Sequence, residues 1–374
     1  MNKVLVIGAG IFGLDLALEL VDHGFDVTIC EKQNSILRGT TAQSLVRVHS
    51  GLHYPRDMET ARQSAKSYNI FLKKYSNYIE KEFPNFYAIS RVNSKVSAKQ
   101  FDVFTESLGF PFERLQNFNE YKFLNPSNFS SVYKVSEGVL NVRLLRLYFE
   151  QAIKNFNIEL SLDCTVKTVA YNHKRNKWQV SLTRNEKSFL QNINSFEFYD
   201  LVIDATHSVG SFYTTKKISE FQITHMLNIT CNPSDFGLTI LDGDFLTALP
   251  LYDEVGKQLT IYAPSISVVK RHVGQNIPEE WTIPRNLSKY FSVKSVNEAL
   301  LKRLYLWVPD LVDVKLVSST TGIRCIEANV RDTDRRISEV IQSDKNFFRI
   351  VSTKIDHCVL TTAEILKNIL GGKN

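Results

Sequence analysis

The sequence predicts a mixed α/β (α+β) fold in which a parallel-sheet domain, built from separated stretches of chain, is interleaved with a β-sheet-rich lobe. Three observations lead there. Residues 3–31 read as strand, helix, strand. Short apolar segments of the same strand type return at 199–206 and 347–351, far along the chain. Residues 216–265 read as successive strands, FQITHMLNIT, FLTALPLY and KQLTIYAP, with no helical pattern among them.

Each element follows from its local pattern. KVLVI at 3–7 is an unbroken apolar run, as a buried strand requires. Residues 11–23 set Leu14, Leu16, Ala17, Leu18, Leu20 and Val21 on a broad apolar helical face, which Gly24 terminates. DVTICE at 26–31 supplies the second strand and completes a βαβ unit. A long helix is predicted across 57–82 and an amphipathic one across 141–156. Residues 163–184 are β-rich, with a hairpin turn near Asn176. Helices are also expected near 294–308 and across 356–369. This ordering assigns 1–85, 141–215 and 320–374 to the parallel-sheet domain, and 86–140 and 216–319 to the lobe. A chain of 374 residues suits two such units.

Composition excludes more than it selects. With 43% hydrophobic and 22% charged residues the chain is an ordinary globular protein. The net charge of +6 is spread along the sequence, which argues against a nucleic-acid partner and suits an anionic small molecule. Cys30, Cys164, Cys231, Cys325 and Cys358 are far apart in sequence and form no CxxC pair, so neither a metal site nor a disulfide framework is expected. The N-terminal apolar run is broken by glycines and no stretch of about 18 apolar residues follows, so a cytoplasmic protein without a membrane span is expected.

The chemistry begins at Gly8, Gly10 and Gly13, which spell G-x-G-x-x-G between a strand and a helix, with Glu31 ending the next strand. Gly8 makes the tight turn. Gly10 lets a pyrophosphate approach the backbone. Gly13 lets the helix lie close to the strand. The helix start at Ile11 and Phe12 offers unpaired N–H groups to phosphate, and Glu31 can accept from ribose hydroxyls while repelling a 2′-phosphate. The motif alone does not decide between NAD and FAD. The following stretch RGTTAQSLVRVHSGLHYPR favours FAD, because a long polar loop suits a cofactor wrapped further along its length.

GAGIFG with Glu31, the RGTTAQS loop, HSGLHYP, EGVLNVRLLRLYFEQA, DLVIDAT, TTGIR and STKID together resemble the D-amino-acid oxidase-like superfamily of FAD enzymes, in an order that covers most of the chain. His49, Gly51, Tyr54 and Pro55 resemble the H-x-G-x-x-Y-P stretch of its 2-hydroxyglutarate branch. The resemblance implies a Rossmann-like FAD-binding domain under an interleaved β-sheet-rich substrate domain. It implies cofactor contacts from Lys32, Thr40, Thr41, Arg47, His49, Gly51, Val166, Ala205, Thr206, Thr353, Lys354 and Ile355, besides the residues of the first motif. Two positions depart from the pattern: His207 stands where glycine is usual after Ala-Thr, and Cys325 where proline often follows Gly-x-Arg. The run NVRDTDRRISEV replaces a Pro-Gly-rich segment.

For such an enzyme the flavin takes the hydride and the protein must hold the substrate. Arg324 is the expected carboxylate clamp, since its planar fork makes two parallel bonds. His53 can polarise the substrate or take a proton, and Tyr54 neighbours it. The intervening Ser50-Gly51 makes this a loop rather than a helix, so the two histidines are not a metal pair. Lys354 and the helix start after it are placed by the resemblance beside the flavin pyrimidine. Tyr252 and Tyr262 are candidate pocket walls, and Arg331, Arg335 and Arg336 form a late cationic cluster with Asp332 and Asp334. The expected function is oxidation of a small, anionic, carboxylate-bearing substrate, an amino acid or a 2-hydroxy acid. The alternatives are a non-redox flavoenzyme acting on a sugar and a flavin-binding protein without catalysis.

Overall fold

A computed structural model describes residues 2–117, 120–185, 192–207, 217–241, 245–253, 256–328 and 334–371. Arg331 and Asp332 lie outside the described residues. The first strand, β1 (Lys3–Ile7), sits at the middle of a six-stranded sheet. The sheet runs Glu339–Asp344, Phe347–Val351, Leu201–Asp204, β1, β2 (Asp26–Cys30), Glu159–Ser161. All neighbours are parallel except the outermost pair, Glu339–Asp344 with Phe347–Val351. Both faces of β1 are covered, which is why its sequence is apolar without alternation. Val4 and Val6 join a core with α1 (Ile11–Asp22), whereas Leu5 and Ile7 pack with Trp178, Val180 and Tyr199. Those last residues come from a three-stranded antiparallel sheet, Cys164–Asn172, Lys177–Asn185 and Asn192–Tyr199. Its first hairpin turns at Asn176, where φ is +51°.

The nine-stranded sheet forms the second layer system. Its central path runs Val268–Gly274, Ser219–Asn232, Gly256–Tyr262, Leu246–Asp253, Gly237–Leu241, Asn85–Ser90, Phe129–Val135 and Phe112–Arg114, and Val312–Glu327 also pairs with Ser219–Asn232. The helix Val293–Trp307 covers one face of this sheet through Leu300, Leu304 and Trp307.

Two sequence expectations change here. The helix predicted across 57–82 is α2 (Met58–Tyr75) and no longer. Its start is capped by Asp57, which accepts from the Thr60 N–H. Its end is imposed by tertiary structure: Tyr75 is anchored to Asp15 at 2.6 Å, and the chain then turns so that Ile79–Glu80 can pair with Val139–Leu140. The expected domain boundary at 319/320 falls inside one strand, Val312–Glu327, so TTGIR is part of the nine-stranded sheet, and from there Thr321 and Ile323 reach the cleft at the carboxyl ends of the parallel strands. Few of that strand's residues are buried and its φ turns positive at Asp313, so no apolar pattern announced it.

Candidate active site

A cleft of about 530 Å³ opens at the carboxyl ends of the parallel strands, where α/β folds bind ligands. Its floor is the turn between β1 and α1. Gly8 has φ +102°, and a Cβ there would stand 3.1 Å from the Ala205 carbonyl oxygen. A Cβ at Gly13 would stand 2.1 Å from the Gly8 carbonyl oxygen, so glycine is what lets α1 lie on β1. Gly10 differs: the nearest protein atom to its missing Cβ is Thr41 Oγ1 at 3.5 Å, ordinary contact. What a side chain at Gly10 would occupy is the cleft itself.

The donors fit a pyrophosphate. Gly10 gives the N-terminus of α1 no side-chain cap and no acidic residue stands in its first turn, so its dipole faces the cleft, although the Ile11 N–H, expected to be unpaired, donates to Thr41 Oγ1 at 3.2 Å. Glu31 lines the same end. Its Oε2 accepts from the Ala9 N–H and its Oε1 from the Gln33 N–H, both at 2.8 Å. The carboxylate is thereby fixed, with lone pairs left for ribose hydroxyls. Lys32 and Val166 complete this end, and Cys30 and Cys164 stand beside it, with Cys30 Sγ 3.2 Å from the Cys164 carbonyl oxygen. The fold thus joins two cysteines that are remote in sequence, and both thiols are free. Further along, Thr40, Thr41, Ala205 and Thr206 line the middle, and Thr353, Lys354 and Ile355 the far end. Of the residues expected to touch the cofactor, Gly13, Arg47, His49 and Gly51 lie outside the cleft. Gly13 packs helix on strand. Gly51, with φ +100°, faces α2, where a Cβ would come within 2.4 Å of the Ala61 carbonyl oxygen.

Arg47 and His49 belong instead to a buried polar chamber beside the cleft. The Arg47 guanidinium donates to Tyr87 Oη at 3.1 Å and to Thr239 Oγ1, and lies 3.4 Å from His53 Nδ1. Glu137, 3% exposed, accepts from the Ser50 N–H at 2.7 Å, from Ser50 Oγ at 2.6 Å and from Tyr87 Oη. Arg47, Tyr87 and Glu137 therefore form a relay that holds a buried cation opposite a buried anion. The rings of His49 and His53 are 5.3 Å apart, and Lys354 Nζ lies 4.5 Å above the Tyr54 ring. Burial, reinforced by the Arg47 and Lys354 charges, holds both histidines well below their usual 6.5, so both rings are neutral at neutral pH. Burial also brings the Lys354 amine down to about 7 and lifts the Asp356 carboxyl to about 7. Asp356 accepts from Ser67 Oγ at 2.5 Å, and the next residue, His357, links Ser64 and Ser338. Sequence reasoning missed Glu137, Tyr87 and Asp356. Glu137 was within the quoted EGVLN segment, but nothing local marks it as buried.

Arg324 projects from the nine-stranded sheet. Its Nε and one terminal nitrogen donate to Gln222 Oε1 at 3.0 and 2.6 Å, and its guanidinium lies 5.6 Å from the Tyr262 ring centre. Among the described residues it pairs with no carboxylate. Arg336 is paired with Asp334 at 2.6 Å and is close enough for its charge to act on His53. Tyr252 lies elsewhere, with the Lys257 amine over its ring and Glu80 and Glu82 near it. Several buried polar atoms here have no protein partner: His49 Nδ1, Tyr54 Oη, Tyr262 Oη and Arg47 Nε. Buried polar groups of this kind take their partners from ordered water or from a bound molecule.

Comparison with known proteins agrees with this geometry. Residues 3–235 match the family model described as DAO, FAD dependent oxidoreductase. Two curated fungal relatives match parts of the chain. The FAD-dependent monooxygenase FPY4 of Fusarium mangiferae is 27% identical over 149 residues, 40% of this chain and 39% of that protein. The FAD-dependent monooxygenase kojA of Aspergillus flavus is 32% identical over 111 residues, 28% of this chain and 26% of that protein. The chain thus spans well under half the length of these relatives. Among solved structures, glycine oxidase from Geobacillus kaustophilus superposes with a TM-score of 0.72 over 100% of this chain and 96% of its own, at 12% identity. L-alpha-glycerophosphate oxidase from Mycoplasma pneumoniae, with FAD bound, has a TM-score of 0.71 over 98% and 94% of the two chains, at 15% identity. The chain belongs to the DAO family of FAD-dependent oxidoreductases, and its cofactor is FAD.

Proposed function

We propose that this oxidoreductase removes a hydride from a small carboxylate-bearing substrate, an amino acid or a 2-hydroxy acid, and delivers it to flavin N5. One observation carries the reading. Arg324 is a half-buried guanidinium without a carboxylate partner among the described residues, held by a neutral Gln222 oxygen above Tyr262, whose hydroxyl is buried and unpartnered. A cation and a hydroxyl kept in this state are complementary to a carboxylate. FAD supplies the hydride acceptor.

The protein's own groups supply the rest. Gly8, Gly10, Ile11, Phe12, Glu31, Lys32 and Val166, which line one end of the cleft, would hold the adenosine diphosphate half. Thr40, Thr41, Ala205, Thr206, Thr353, Lys354 and Ile355 would hold the remainder. Because His53 Nδ1 accepts from Arg47, the proton of the neutral ring is on Nε2, which suits it to polarise the substrate rather than to take its proton. The Lys354 amine, brought down to about 7, is the group that can accept a proton from an ammonium or a hydroxyl near neutral pH. Arg47, fixed by its relay, keeps the His53 ring in place.

The test is anaerobic addition of amino acids, 2-hydroxy acids and neutral sugars to the holoprotein. Bleaching of the flavin by a carboxylate-bearing compound, one equivalent per flavin, is expected. Bleaching by a neutral sugar with none by any carboxylate would refute the reading. Because the curated relatives are named monooxygenases, the productive substrate should also be run under labelled oxygen; label in the organic product would replace simple oxidation with oxygen insertion.

A further inference from the structure

Both departures from the family pattern, His207 and Cys325, turn out to be one feature. They are 118 residues apart in the chain, yet the Cys325 backbone N–H donates to His207 Nε2 at 3.0 Å. The other ring nitrogen, Nδ1, is 2.6 Å from Ser352 Oγ. Since Nε2 accepts, the proton of the neutral ring resides on Nδ1 and is donated to Ser352. One imidazole therefore ties three segments: the end of Leu201–Asp204, the turn after Phe347–Val351, and the strand Val312–Glu327 that carries Arg324. The first two belong to the sheet that shapes the cofactor cleft, the third to the sheet beside it.

The backbone disfavours the residue it holds. At His207 φ is +58°, a conformation that suits glycine and strains other side chains. The Cys325 thiol packs in an apolar cluster with Phe221 and Trp281, so the feature that this position contributes to the tie is its N–H, the backbone group a proline lacks. Each replacement makes sense with the other: the ring brings the acceptor and the non-proline residue brings the donor.

We propose that His207 is a positioning residue, a latch that sets the register between the strand bearing Arg324 and the cofactor cradle. This rests on the reading of Arg324 as the carboxylate clamp. Burial and the nearby Arg324 charge hold the His207 imidazole down at about 4, so the ring is neutral and able to accept at neutral pH.

The experiment uses the FAD-loaded protein and the variants His207→Gly, Cys325→Pro and the double variant. The readouts are hydrogen exchange of residues 320–327, corrected for intrinsic rate, and the affinity of sulfite, a small anion that reversibly bleaches flavins and responds to a cation held nearby. His207→Gly should keep its FAD, because glycine is at ease at that φ. Its exchange at 320–327 should rise, and its sulfite affinity should fall by about three- to tenfold, as for a lost hydrogen bond. Cys325→Pro should do the same alone and add little in the His207→Gly background, since the acceptor is already gone. Unchanged exchange and sulfite affinity in His207→Gly, or a Cys325→Pro effect of full size in both backgrounds, would overturn the latch. Should Cys325→Pro not fold, exchange in His207→Gly decides alone. Unchanged sulfite affinity in Arg324→Ala would count against the clamp, and the exchange data would still judge the latch.

Discussion

The cofactor cleft and the polar chamber beside it are built by different means. The cleft recognises with backbone. A turn at Gly8, a helix start at Ile11 and a packing contact at Gly13 come from six consecutive residues, and Glu31 follows one strand later. The chamber is built from charged and hydroxyl side chains that arrive from remote segments: Arg47, Tyr87, Glu137, Thr239 and Lys354 meet only in the folded protein. A site made of backbone can be written in a short motif. A site made of buried charges depends on the whole topology, and each of its members is costly if its partner is lost.

The comparison can be broken most sharply at Glu137. Glu137→Ala leaves the Ser50 N–H and the Arg47 relay without their anion, deep in the protein. A loss of about 3–5 kcal/mol is expected, the cost of an uncompensated buried charge. Chemical denaturation of the variant measures it, and a loss under 1 kcal/mol would mean that water or a rearranged partner replaces the carboxylate. On the cleft side Gly13→Val should cost about 3 kcal/mol, because its Cβ overlaps the Gly8 carbonyl. Gly10→Leu should leave the melting of the cofactor-free protein nearly unchanged while abolishing FAD binding, since only the cleft has no room for it. If Gly10→Leu retains yellow cofactor, the pyrophosphate is held elsewhere.

A smaller effect is expected at Glu31. Glu31→Ala removes a fixed acceptor from the cleft, and FAD affinity should fall by about 1.5–3 kcal/mol, the range for a hydrogen bond to a charged group. Gel filtration followed by flavin fluorescence measures retention. Equal retention would show that the carboxylate serves only the Ala9 and Gln33 amides.

Acid should separate the two regions more gently. His49 and His53 are held well below 6.5, His207 at about 4 and His357 at about 3, all chiefly by burial. A histidine whose pKa is lowered by folding contributes stability that is present above its unfolded value and is lost as pH falls toward the folded one. Asp356, raised to about 7, acts in the opposite sense, gaining in the same interval, but it is one group against four. The melting temperature should therefore drop as pH falls from 6.5 to about 5, and hydrogen exchange should rise in the chamber before it rises in β1. A melting temperature flat across this interval would mean that the histidines are solvated.

Legibility in the sequence follows the same division. The βαβ unit, the hairpin at Asn176, the helix at 293–307 and the late strand at 347–351 were readable because periodicity and turn residues are local. The strand Val312–Glu327 was not, because few of its residues are buried, and its place comes from pairing with Ser219–Asn232. Arg47 and His49 drew attention in a polar loop, but their sequence neighbours line the cleft and they do not, a distinction set by where Glu137 and Tyr87 lie. His207 and Cys325 looked like erosion of a pattern. Their hydrogen bond makes them a matched pair, which only the fold could bring together.

The central claim is that a carboxylate is held by Arg324 at the flavin. It is tested most directly by anaerobic flavin reduction against substrate concentration in the wild-type protein and in Arg324→Ala. Arg324→Ala should keep its FAD and require a far higher substrate concentration, a loss of roughly 2–5 kcal/mol in apparent affinity, with Arg324→Lys recovering only part because a point charge lacks the paired fork. Reduction of Arg324→Ala at an unchanged half-saturating concentration would contradict the account.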